Sequence, residues 1–138
     1  MRKTSIIALS AVLISAFIAT ACGGDPGDKI IKSAKSGDMT VTFASASGDL
    51  KNGENELMIS FTDASGNPVD VGAVSLNFHM PAMGAMAEMN DRATLTTTET
   101  PGKYRAQVNI EMRGTWEAQI SYQGPQGTGQ VSMTVNAK

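Results

Sequence analysis

Four of the nine methionines in this 138-residue chain fall within ten positions, in the run His79-Met80-Pro81-Ala82-Met83-Gly84-Ala85-Met86-Ala87-Glu88-Met89. A thioether is a soft, uncharged donor that survives where thiolates are oxidised, and its softness selects Cu(I) over Zn(II), Mg(II) or Ca(II). Met80, Met83, Met86 and Met89 are therefore the first candidate ligands for a soft cation. His79 is the only histidine and the next candidate. The same residues have bland uses: flexible core filler, an apolar patch for a partner protein, or sacrificial oxidation sites. Glu88 and Asp91 are hard oxygen donors that fit Cu(I) poorly, and the expectation for both is a solvated loop rim.

The elements that must carry this cluster can be read from its flanks. Residues spaced by three fall about 60° short of a full turn at each step of an α-helix, so four of them spread over half its circumference. Pro81 and Gly84 oppose a helix as well, which leaves a loop. On either side the chain alternates with period two, the signature of half-buried strands. Seven such runs are legible, at Met39–Phe43, Leu57–Phe61, Val74–Met80, Ala93–Glu99, Tyr104–Ile110, Trp116–Tyr122 and Val131–Val135. The threonine-rich fourth run offers only Leu95 to a core and reads as an edge. Turn chemistry separates the runs, as at Ser65-Gly66-Asn67-Pro68, Pro101-Gly102 and Arg113-Gly114. The expected fold is an all-β, immunoglobulin-like antiparallel sandwich of seven strands, with Trp116 as its main anchor. If successive strands reverse direction, the loops after the third and fifth runs share one end of the sandwich. That brings Met112 beside the methionine loop as a further candidate ligand, although its phase with Val108 and Ile110 equally suits a core lid.

The N-terminus reads as a targeting signal. Arg2 and Lys3 precede an apolar run from Ile6 to Ile18, and Ala19-Thr20-Ala21-Cys22 resembles a bacterial lipobox, with cleavage before Cys22. The run is too short and too interrupted by serine for a membrane span. Ala19 and Ala21 would also suit an ordinary signal peptidase, and the two routes differ in whether Cys22 carries lipid. An unmodified lone thiol outside the cytoplasm invites mixed disulfides, which favours lipidation of Cys22. The expected organisation is a signal peptide over 1–21, a flexible tether over 22–37 starting at lipidated Cys22, and one domain over 38–138. The alternative for the tether is a first strand built around Ile30 and Ile31.

Loss of Arg2 and Lys3 with the signal leaves 9 basic against 13 acidic residues, a net charge of −4. Basic residues are scattered, without the stripe that neutralises phosphates, so no nucleic-acid partner is expected. A hydrolytic triad lacks its parts, since the one histidine has no evident nucleophile beside it, and no glycine-rich phosphate loop opens a helix. The chain is not expected to be an enzyme.

The core Met-Pro-x-Met-Gly-x-Met within Leu76–Met89, then Pro101-Gly102-Lys103-Tyr104-Arg105, then Met112-x-Gly114-Thr115-Trp116, resembles the YtkA-like domain family, related to FixH-type proteins. The resemblance spans about residues 39–136. It implies an extracytoplasmic immunoglobulin-like domain associated with copper handling, efflux adaptors and copper supply to oxidases. By motif position it carries Met80, Met83, Met86 and Met112 over as ligands. Ala85 stands where many members have a histidine, so His79 or Met89 would have to complete a site. Members with a transmembrane anchor differ from this chain.

The sequence thus leads to a lipid-anchored copper-binding protein of the cell envelope that buffers or delivers Cu(I), facing the periplasm or exterior. A copper efflux or oxidase-assembly protein is the expected partner. Gly23 after Cys22 lacks the aspartate of an inner-membrane retention signal, which favours the outer membrane in a two-membrane host. The alternative is a metal-free interaction module whose methionine loop is an apolar partner-binding patch.

Overall fold

The computed structural model describes residues 28–125 and 127–138. The expected signal peptide and Cys22 lie outside the described residues. Nine strands follow one another: β1 (Lys29–Ser36), β2 (Met39–Ser45), β3 (Gly53–Thr62), β4 (Ala73–Met80), β5 (Met89–Arg92), β6 (Thr94–Thr97), β7 (Lys103–Ile110), β8 (Gly114–Gly124) and β9 (Gly127–Ala137). They form two antiparallel sheets, ordered β1-β2-β3-β7-β6 and β5-β4-β8-β9. Apart from β1 and β5, this is the two-sheet, Greek-key arrangement of an immunoglobulin-like sandwich.

Each of the seven expected runs falls on one of β2, β3, β4, β6, β7, β8 and β9, and β6 is an edge as its single apolar residue implies. The two further strands correct the count. Part of the stretch expected to be tether is instead β1, which pairs along β2 from Lys29 opposite Ser45 to Ser36 opposite Met39. β1 carries almost no alternation because it is an edge strand with Ile30 turned out to solvent, at 67% exposure. β5 is only four residues long, and one of its two inward positions is Asp91, which removes the apolar signal.

The core lies between the sheets and is built from the phases the alternation marks. Val41, Phe43, Leu57, Ile59, Phe61, Ala106 and Ile110 from one sheet meet Leu76, Phe78, Met80, Trp116, Ala118 and Ile120 from the other. Phe61 sits edge-on to both Tyr104 and Tyr122, with ring centroids 5.7 Å apart in each pair. Such contacts add about 0.5–1.5 kcal/mol beyond the area they bury. Tyr122 also lies over its cross-strand partner Gly129, where a Cβ would collide with the phenol ring.

Trp116 is fully buried, and its indole N–H donates to the Met112 carbonyl at 3.0 Å, so the largest core residue also fixes the β7–β8 loop. Trp116→Ala removes both the packing and the pin. It should lower unfolding stability by about 3–5 kcal/mol in a urea titration, a large share of what a domain of this size possesses.

Candidate metal centre

The methionine run is not an irregular loop but the continuation of the β4–β5 hairpin. Asn77 pairs with Arg92, Phe78 with Asp91, His79 with Asn90 and Met80 with Met89. Beyond this ladder the same register closes again at Met83 and Met86, whose backbone amides donate to each other's carbonyls at 3.1 and 2.9 Å. Gly84 and Ala85 make the turn between them. Gly84 has φ = 56°, and among the described residues none other than glycine has a positive φ, so the turn has type II′ character. Glycine is what that turn demands at its first central position.

The pairing sorts four methionines into two cross-strand couples with different fates. Met83 and Met86 form a mutually hydrogen-bonded pair, so both side chains leave the same face of the hairpin, with Cβ atoms about 5 Å apart. They are 57% and 41% exposed. Met80 and Met89 pair at the base and face inward. Met80 is 2% exposed and belongs to the core, and Met89 is partly buried against it. Met80, an expected ligand, continues the phase of Leu76 and Phe78, so the alternation that buries them buries it.

Met112 is brought to this end of the sandwich, as strand reversal requires. The methyl of Met80 reaches the β7–β8 loop, since a Cβ on Gly114 would stand 3.3 Å from Met80 Cε. Met112 itself is partly buried, packed on the core in the manner of a lid. The described arrangement therefore brings two thioethers together in solvent, and packs the other three in or against the core.

His79 faces outward, on the opposite side of β4 from Phe78 and Met80. Its Nδ1 lies 3.1 Å from Asn90 Oδ1, and its Nε2 3.9 Å from Glu88 Oε2. When Nδ1–H donates to the Asn90 amide oxygen, the lone pair is left on Nε2, on the side of the hairpin arm that leads to Met86. This is the way ligating imidazoles are commonly oriented. Counting by twos from His79 gives Met83, and from Asn90 gives Met86, so the imidazole and the exposed pair share a phase of the hairpin. Among the described residues, no group of three or more His, Cys, Asp and Glu side chains could hold a metal ion.

Asp91 corrects the expectation of a solvated rim. It is 8% exposed, and its Oδ2 accepts the backbone N–H of Glu111 at 3.0 Å. This hydrogen bond ties β5 to the start of the β7–β8 loop. Sequence reading missed it because a lone aspartate in a short polar strand looks like a surface residue. The available signal was its position opposite Phe78 in a hairpin centred on Gly84-Ala85, which makes it inward-facing.

Comparison with known proteins gives a family and a similar solved structure. The family model described as YtkA-like matches residues 33–121, well over half of the chain. No curated protein matches. Among solved structures, the crystal structure of "as isolated" FetP of uropathogenic E. coli strain F11, recombinantly expressed in the periplasm of E. coli BL21(DE3), is similar at 10% identity. That match covers 79% of this chain and 95% of the other, with a TM-score of 0.46.

Removal of the Asp91 carboxylate strands the Glu111 amide and loosens the hairpin base. Asp91→Ala should cost about 1–3 kcal/mol by denaturant midpoint, whereas Asp91→Asn, which keeps an acceptor oxygen, should recover most of it.

Proposed function

The chain belongs to the YtkA-like family, and on that premise we propose that it is an extracytoplasmic, lipid-anchored protein that holds Cu(I) on its β4–β5 hairpin and passes it on. The observation that carries this reading is the mutual backbone pairing of Met83 and Met86, which aims two thioethers from one face into solvent. Thioethers bind Cu(I) and reject hard divalent cations, and an imidazole is its natural third donor. His79 is that donor in this reading. Met89 and Met112, packed against the core, brace the base of the hairpin, while Met80 serves the core.

The arrangement suits a carrier better than a catalyst. Two exposed sulfurs on a turn can be exchanged one at a time for those of an acceptor, with the sandwich unmoved. In this reading the protein performs no covalent chemistry, and its partner is a copper efflux or oxidase-assembly protein in the same envelope. Cys22 serves as the lipid attachment point.

Anaerobic competition titration with a chromophoric Cu(I) chelator tests the site. Met83→Leu combined with Met86→Leu keeps the volume of both side chains at exposed positions, so stability should change by less than about 1.5 kcal/mol. Cu(I) affinity should fall by more than the roughly 10–100-fold that outer-shell changes cost. Unchanged affinity in the double variant would favour a metal-free apolar docking tip. Mass spectrometry of the membrane fraction tests the anchor, with an acylated Cys22 expected at the mature N-terminus; a cleaved but unacylated Cys22 removes the anchor from the proposal.

A further inference from the structure

The register of β1 decides which end of the domain faces the membrane. Lys29 pairs with Ser45, at the end of β2, and β2 leads into the β2–β3 loop. The chain therefore enters the sandwich pointing away from the end that carries the methionine hairpin, with Asp28 and Lys29 on the side of that end. Five residues, Gly23–Gly27, separate Cys22 from Asp28. Covalent geometry caps the reach from Cys22 to Asp28 at about 20 Å.

The hairpin extends over a similar height. Ser45 is level with Leu57, and the β3–β7 ladder runs four residues further, to Gly53 opposite Ile110, which is about 13 Å of strand. The Asp91–Glu111 hydrogen bond sets the base of the hairpin level with the end of that ladder. From there Met83 and Met86 stand about 10 Å beyond Met80. An anchor at Cys22 cannot hold the domain far enough away to lift this tip well clear of the lipid.

The surface chemistry of that end agrees. Among the described residues, the exposed large hydrophobic side chains are Ile30, Met83 and Met86. Ile30 is the second residue of β1, and the methionine tip stands on the other flank, because β1 packs against β9 while β5 packs against β7. From Pro81 to Ala87 the tip is exposed throughout and carries no charge. We infer that the hairpin tip rests on the bilayer that holds the lipid anchor. The metal site then opens at the membrane surface, toward ligands borne by the membrane. The inference rests on the lipid anchor proposed above and on the β1 register, and it does not depend on copper binding.

The acylated full-length protein provides a clean test, because lipidation consumes the only cysteine. Ala85→Cys at the tip, and Ser65→Cys in the β3–β4 loop at the far end, each carry a polarity-sensitive fluorophore on phosphatidylethanolamine–phosphatidylglycerol vesicles. The Ala85 probe should shift to the blue and lose most of its emission to lipids bearing a headgroup-proximal nitroxide, while the Ser65 probe stays in water. Protein that floats with the vesicles while its Ala85 probe remains in water overturns the inference and leaves the anchor intact. Protein that does not float overturns the anchor and the inference together. Shielding that appears only in native membranes, and not on lipid alone, assigns the tip to a protein partner and overturns it as well.

Discussion

The β4–β5 register is the constraint on which the rest of this end of the molecule depends. Once His79 faces Asn90 and Met80 faces Met89, the turn must fall on Gly84 and Ala85, and Met83 must face Met86. A slip of one residue would exchange the faces of the whole set, burying the exposed pair and expelling Met80 from the core. Both the position of Gly84 and the apolar phase of Leu76, Phe78 and Met80 resist that slip, one through turn geometry and the other through burial.

The fixed register matters only because the hairpin base is also fixed in space. Three links from different elements meet there: the Asp91 carboxylate on the Glu111 amide, the Trp116 indole on the Met112 carbonyl, and the Met80 methyl against Gly114. Each joins the β4–β5 side to the β7–β8 loop or braces that loop from below. The tip beyond them has little besides its own two backbone hydrogen bonds. A rigid base beneath a lightly held, exposed turn is the arrangement in which a change of ligand at the tip leaves the sandwich undisturbed.

Much of the fold was legible because burial on one face imposes period two, and seven strands obey it. β1, legible only as the alternative to a tether, is an edge with its larger side chain in solvent, and β5 escaped because it places a satisfied carboxylate where an apolar residue would signal burial. The methionine run was read correctly as non-helical, but its inner order went unseen. Met80 with Met89 and Met83 with Met86 are symmetric about Gly84-Ala85, and a glycine opening a two-residue turn was the cue that would have paired them. The end-sharing of Met112 followed from strand reversal alone. Its partial burial did not, because a residue at a strand terminus can satisfy the inward phase or leave it, and only packing decides.

Exposed methionine contributes little to folding, so the composition of the tip reflects what it meets outside the domain. A cysteine there would oxidise, a carboxylate would prefer hard cations, and a charged or strongly hydrated side chain would resist contact with lipid. The thioether is soft enough to hold Cu(I) and apolar enough to lie at a membrane interface without a desolvation penalty. In the proposed reading one residue type therefore serves both demands at one turn. His79, more polar, stands four pair positions back toward the sandwich, where the Asn90 amide keeps its ring oriented. The order along the hairpin, sulfur at the tip and nitrogen behind it, follows from the cost of desolvating each donor.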